Sequence, residues 1–141
     1  MSAAKKEKKR QLVAKRKKDH PNEHFYIEDD QTFRQYFDAG AALTAGQFVM
    51  LDSAGKIAPL EADGYPIGVF VSEEDGVAEV TIKGIVKANV NNLRGIQSGY
   101  VLSHCHSAGR MHVIKPKGAA PVRGICMESA PSSATIDVLL F

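Results

Sequence analysis

The chain has 141 residues, 44% of them hydrophobic, with 12 Gly, 6 Pro and no Trp; that is enough for one ordinary core and too little for two full domains. The net charge of +2 conceals a split: residues 1–18 carry nine bases and one acid, a charge of +8, and residues 19–141 carry nine bases and fifteen acids, a charge of −6. No apolar run approaches the ~18 residues that cross a bilayer, and no apolar stretch follows the basic start, so neither a membrane span nor a secretion signal is expected.

Residues 1–24 read as a basic arm. Lys5, Lys6, Lys8, Lys9, Arg10, Lys15, Arg16, Lys17 and Lys18 supply its charge. Such a segment cannot bury a core; it is either a solvated tail or an arm that seeks phosphate or a carboxylate-rich surface. Residues 25–40 read as a bridge that follows the break at His20-Pro21-Asn22. Phe25, Tyr26, Phe33, Tyr36 and Phe37 give it half of the chain's ten aromatic residues. Phe33, Tyr36 and Phe37 fit one helical face with Asp30 as an N-cap, and Phe33, Gln35 and Phe37 fit one strand face. The rings either cover the end of a barrel or anchor a protein interface.

From residue 41 the pattern is short strands and turns. Gln47–Leu51 reads as a strand, Ser53-Ala54-Gly55 as a turn, and Lys56–Leu60 as a strand whose Pro59 marks an edge. Ile67–Val71 is apolar on both faces and reads as buried. Val77–Lys83 alternates, with Val80 and Ile82 on one face and Glu79, Thr81 and Lys83 on the other. Gly84 is expected to break or bulge the strand before Ile85 and Val86. The second half repeats the plan. Ser107-Ala108-Gly109-Arg110 answers Ser53-Ala54-Gly55-Lys56, and Gly99 before Tyr100-Val101-Leu102 answers Gly46 before Gln47-Phe48-Val49. Pro121-Val122-Arg123-Gly124-Ile125 answers Pro66-Ile67-Gly68-Val69, and Ile136-Asp137-Val138 answers Val80-Thr81-Ile82. The expectation is an all-β fold over residues 41–141: a small β-barrel from an internal duplication, two copies around one core, with Val80, Ile82, Ile136 and Val138 buried.

Reactive chemistry is sparse. His104-Cys105-His106 places both imidazoles on one strand face, and a turn at Ser107–Gly109 would bring His112 alongside. Three imidazoles are a possible zinc or nickel set, but the spacing matches no strong zinc pattern and no second Cys lies close. Cys105 points away from both histidines on a regular strand, which disfavours Cys–His catalysis. Cys105 and Cys126 are expected as reduced thiols. Glu73, Glu74 and Asp75 before Gly76 read as a polar turn rather than a calcium loop. No nucleophile elbow, phosphate-binding glycine loop or metalloprotease motif occurs. The expectation is a non-enzymatic protein with no catalytic residue, no cofactor and no metal.

The stretch from Ala39-Gly40-Ala41 through Asp52-Ser53-Ala54-Gly55-Lys56 to Pro59 resembles the opening of the small head decoration, or capsid cement, proteins of tailed bacteriophages. Pro66-Ile67-Gly68-Val69 and Pro121-Val122-Arg123-Gly124-Ile125 resemble that family's repeated proline, aliphatic, glycine, aliphatic strands, and Ala134–Phe141 its closing strand. The resemblance covers about residues 36–141; the basic arm departs from the plainest members. It implies a β-barrel on the outer surface of the capsid, made in the host cytoplasm and carried on the virion, with the major capsid protein and itself, as a homotrimer, for partners. The arm bases are then the capsid-binding residues and the five aromatics the interface candidates. The rival reading is a nucleic-acid-binding barrel with a basic tail. Against it, the arm has no aromatic residue to stack on bases and the body carries the opposite charge.

Overall fold

The computed structural model describes residues 32–118 and 123–141. The basic arm, Phe25, Tyr26, Pro121 and Val122 lie outside the described residues. Those described fold as strands and turns without a helix: β1 (Phe33–Asp38), β2 (Phe48–Leu51), β3 (Ile57–Pro59), β4 (Gly68–Glu74), β5 (Val77–Asn91), β6 (Val101–Ser107), β7 (Arg110–Ile114), β8 (Gly124–Cys126) and β9 (Ser133–Leu140). The turns follow from local chemistry. Asp52 Oδ1 accepts the N–H groups of Ala54 and Lys56, both at 2.9 Å, which closes the β2–β3 turn through an aspartate side chain. Asp75 and Gly76 join β4 to β5 with φ of 50° and 79°, the left-handed pair that a two-residue hairpin turn requires.

β5 is 15 residues long and organises the molecule. Its second part pairs antiparallel with β9 and parallel with β7. The order β5-β7-β6-β8-β9 then returns to β5, which closes a five-stranded barrel. Its first part pairs with β4 and β1, β4 continues to β2 and β3, and a parallel bridge between Ala39 and Ile57 joins β3 to the end of β1. The first unit is therefore β1, β2, β3, β4 and the start of β5; the second is the end of β5 with β6, β7, β8 and β9.

The two units share hydrogen bonds as well as order. Gly46 N donates to Phe70 O at 3.0 Å and Gly99 N to Cys126 O at 2.8 Å. Phe70 N donates to Gln47 O, and Cys126 N to Tyr100 O. Gly46 and Gly99 both sit at φ 96°, which a residue with a Cβ adopts only with strain. Val69 opposes Phe48 and Thr81, as Ile125 opposes Val101 and Leu139. The duplication is thus geometric.

Several expectations change in detail. Cross-strand register matches Val80 with Val138 and Ile82 with Leu140, two residues beyond the sequence-based pairing. Val80, Ile136 and Val138 are buried, whereas Ile82 is half-buried. Thr81, expected on the polar face, is 1% exposed. Gly84 does not end its strand: β5 runs through it with φ 99°, and its pairing passes there from β1, at Lys83, to β9. The expected bridge holds a true strand, since β1 pairs along β5 from Phe33 to Asp38 and is not helical. Finally, there are two clusters where one core was expected. Val49, Ile57, Phe70, Ala78 and Val80 fill the first unit. Ala88, Val90, Met111, Val113, Cys126, Ile136 and Val138 fill the second, joined there by Phe48, Leu60 and Val69 from the first.

Candidate interaction surfaces

Three of the expected interface aromatics are described, and β1 separates them. Phe37 opposes Ala78 and packs against the core of the first unit. Tyr36 turns the other way; its hydroxyl donates to Glu79 Oε1 at 3.5 Å, and Arg34 Nη1 reaches the same oxygen at 3.1 Å. Phe33 alone offers a free ring, 51% exposed beside Lys83. A register shift between Phe33 and Arg34 puts Phe33 on the outer face.

An open groove of about 680 Å³ runs between the units. Leu60, Tyr65 and Ile67 line one wall, Leu102 and Met111 the other, with Phe141 at the end. Arg123 holds the rim, its guanidinium 4.3 Å from the centroid of the Tyr65 ring and its Nη1 3.4 Å from Pro66 O. Sequence reading did not find this feature, because its walls come from three distant segments that share no motif.

The histidines meet only in part. The β6–β7 turn brings His104 and His112 to a centroid distance of 4.9 Å with the rings tilted by 37°. Burial lowers the His112 pKa from its usual value, and His104 and His106 lower it further, against a hydrogen bond that the ring donates to the Asn91 backbone. No group of three or more His, Cys, Asp or Glu among the described residues is placed to hold a metal ion. Cys105 Sγ lies 3.2 Å from Ser107 O, and burial, then Glu61, raises its pKa. Burial pushes the Cys126 thiol up to about 11. Both shifts suppress the thiolate that a nucleophile or ligand needs.

Charge on the described body is close to balanced. Of the fifteen acids after residue 18, five (Asp19, Glu23, Glu28, Asp29 and Asp30) precede it, which leaves ten acids against nine bases. Lys87 bridges Glu128 at 3.1 Å and Asp137 at 3.2 Å. Arg110 Nη1 donates to the backbone oxygens of Val90 at 2.9 Å and Ala134 at 3.4 Å. Arg34 and Arg123 are engaged as described, so four of the nine bases of the body are held by partners within it. No described helix is long and apolar enough to cross a membrane. No protein-family model matches the chain, and no curated protein matches it.

Proposed function

We propose that the chain is a non-enzymatic decoration protein of a phage head. It binds the major capsid protein on the outer surface of the virion, associates with itself as a homotrimer, and stabilises the expanded shell across capsomer boundaries. The observation that carries this reading is a +8 arm joined to a duplicated barrel whose own charges nearly balance. The glycine and aliphatic pattern of residues 36–141, described above, supplies the resemblance. A protein that binds only the expanded shell stabilises that state by mass action. Twenty extended residues span up to ~70 Å, enough to reach a neighbouring capsomer. Exposed ion pairs contribute only about 0–1 kcal/mol each, so Lys5 to Lys18 steer and register the arm, while aromatic contacts from residues 25–37 hold it.

The test is binding of the full chain, and of a chain lacking residues 1–18, to expanded and unexpanded shells across a salt series. The full chain binds expanded shells selectively. The shortened chain stays folded, because a segment as charged as residues 1–18 supplies no core, but it binds more weakly and with less salt dependence. Equal binding of both chains at every salt concentration refutes the role of the arm. Tight binding to duplex DNA with no binding to shells would favour the nucleic-acid reading instead.

A further inference from the structure

One rung of side chains circles the outside of the second unit. Ile114 opposes Val101, Val101 opposes Ile125, Ile125 opposes Leu139, and Leu139 opposes Ile85. Each is next to a residue that packs in the core (Val113, Leu102, Cys126, Val138 and Val86) and so points to the outer face. None of the five belongs to either core cluster; Ile85 is 51% exposed, Ile114, Ile125 and Leu139 are half-buried, and Val101 keeps only 8% exposure. An outer face is ordinarily polar, yet all five are aliphatic.

The first unit has the matching rung. Leu60 N donates to Phe48 O, Phe48 opposes Val69, Val69 opposes Thr81, and Thr81 opposes Arg34. This rung is covered. Phe48, Leu60 and Val69 insert into the core cluster of the second unit, at 1%, 1% and 0% exposure. The face that receives them includes Ile96, Ala88, Val90 and Leu140, all buried. Their counterparts in the first unit are Leu43, Phe37, Ala39 and Ile82, and all four are only half-buried. The turns agree. A Cβ on Gly109 would meet Gln47 Cγ at 2.7 Å, whereas one on its counterpart Gly55 would meet nothing within 4 Å. A Cβ on Gly46 would meet Asn89 Oδ1 at 2.8 Å, whereas one on Gly99 would again meet nothing within 4 Å.

The chain thus contains one complete junction and, at its two ends, the two incompletely covered halves of a second. We infer that copies of this chain join head to tail, the outer rung of the second unit of one copy seating against the open face of the first unit of the next. The partner is a second copy because the junction between the units shows the counterparts of these two surfaces fitting each other. The contact is heterologous, so it builds a closed ring where the rotation closes and a filament where it does not. This inference gives a surface to the self-association proposed above, and it holds or fails on the purified chain alone, whereas the capsid reading is tested on shells.

The test is sedimentation velocity and light scattering of the full chain over a concentration series. Assembly of the wild type is expected. Ile125→Asp and Ile114→Asp place a carboxylate on the rung; each yields monomer with the melting temperature of the barrel retained. Gly55→Asn obstructs the open face without strain, because Asn tolerates a left-handed conformation and the space is empty; it also yields monomer. Mixing Ile125→Asp with Gly55→Asn restores one intact junction and gives a dimer that grows no further. Leu93→Asp, at an exposed loop residue off the rung, assembles like the wild type. A wild type that stays monomeric overturns the inference, since another protein or the chain's own residues 1–31 would then cover these faces. Assembly of the folded rung variants overturns it too. A mixture that fails to pair also does so, because it would mean that rung meets rung.

Discussion

Gly68 and Gly124 occupy the same place in the two units, and a methyl group added to each separates backbone sterics from side-chain sterics. Neither residue has a positive φ, so alanine meets no conformational barrier at either position. A Cβ on Gly68 would lie 2.4 Å from Thr81 O and 3.1 Å from Thr81 C, with Val80 Cγ1 at 2.7 Å. Two of these atoms belong to the backbone of β5 and cannot retreat without opening the β4–β5 ladder. A Cβ on Gly124 would lie 3.1 Å from the equivalent carbonyl, Leu139 O; its closest neighbour is Leu102 Cδ1 at 2.7 Å, the far end of a flexible side chain. Overpacking a fitted core costs about 1–3 kcal/mol, and replacing Gly by Ala returns about 0.4–1 kcal/mol by stiffening the unfolded chain. Gly68→Ala should therefore destabilise by about 2 kcal/mol, and Gly124→Ala by about 1 kcal/mol or less. For a folded body of this size each kcal/mol shifts the melting temperature by roughly 4 °C, so the expected losses are about 8 °C and at most about 4 °C. Thermal melts followed by circular dichroism read the difference. Equal losses at the two positions, or an unchanged melt for Gly68→Ala, would refute the claim that the β5 carbonyl sets the cost.

Phe48→Ala should cost about 3–5 kcal/mol, read by urea denaturation, because a first-unit ring 1% exposed is removed from the core of the second. A single transition should persist, since β5 runs through both units and Leu60 and Val69 still join them. Stability should fall as pH drops through 6.5, the ordinary His value, towards the lowered pKa of His112. The unfolded chain takes up that proton before the folded one, so the contribution of neutral His112 is complete above 6.5 and lost below; His112→Gln should flatten this part of the pH profile. Lys87→Ala should leave the melt at neutral pH unchanged within error, since Lys87, Glu128 and Asp137 are paired at the surface and in solvent.

The positions of strands and turns were legible because glycines and aliphatics mark them. Asp52 and the Ser53-Ala54-Gly55 turn, the edge position of Pro59 and the strand after Gly99 all stand where the pattern places them. The register of the last strand was not legible. Val80-Thr81-Ile82 resembles Ile136-Asp137-Val138, yet pairing makes Val138, opposite Cys126, the counterpart of Val80, opposite Phe70. A slip of two residues returns every side chain to the same face, so alternation alone cannot detect it. β1 escaped for a related reason. It plays the part in the first unit that the second half of β5 plays in the second, pairing with the closing strand and bridging to the third. Yet Phe-Arg-Gln-Tyr-Phe-Asp shares almost no residues with the β5 segment it mirrors. The groove and the outer rung could not be read at all, since each needs the barrel closed before its members become neighbours.

Thr81 shows how a duplicated fold departs from its own pattern. Alternation places it on the face away from Val80 and Ile82, where a single barrel would meet solvent. In the first unit that face adjoins the second unit, so a residue chosen for an outer rung becomes 1% exposed. Its counterpart Leu139 has no such neighbour among the described residues and stays half-buried. The polarity is therefore reversed: the covered position holds a hydroxyl and the uncovered one an aliphatic side chain. Selection for solubility of an isolated chain would give the opposite arrangement, because exposed aliphatic surface costs about 25 cal/mol per Å² relative to burial. Thr81 on its covered rung has β4 and β1 on either side through backbone pairing and lies beside Val69, which inserts into the second unit, so burial there is set by the neighbouring unit and needs little from the side chain. Leu139 has β8 and β5 on either side in the same way yet stays half-buried, and an aliphatic residue at that position gains its remaining stability only when a further surface arrives to cover it.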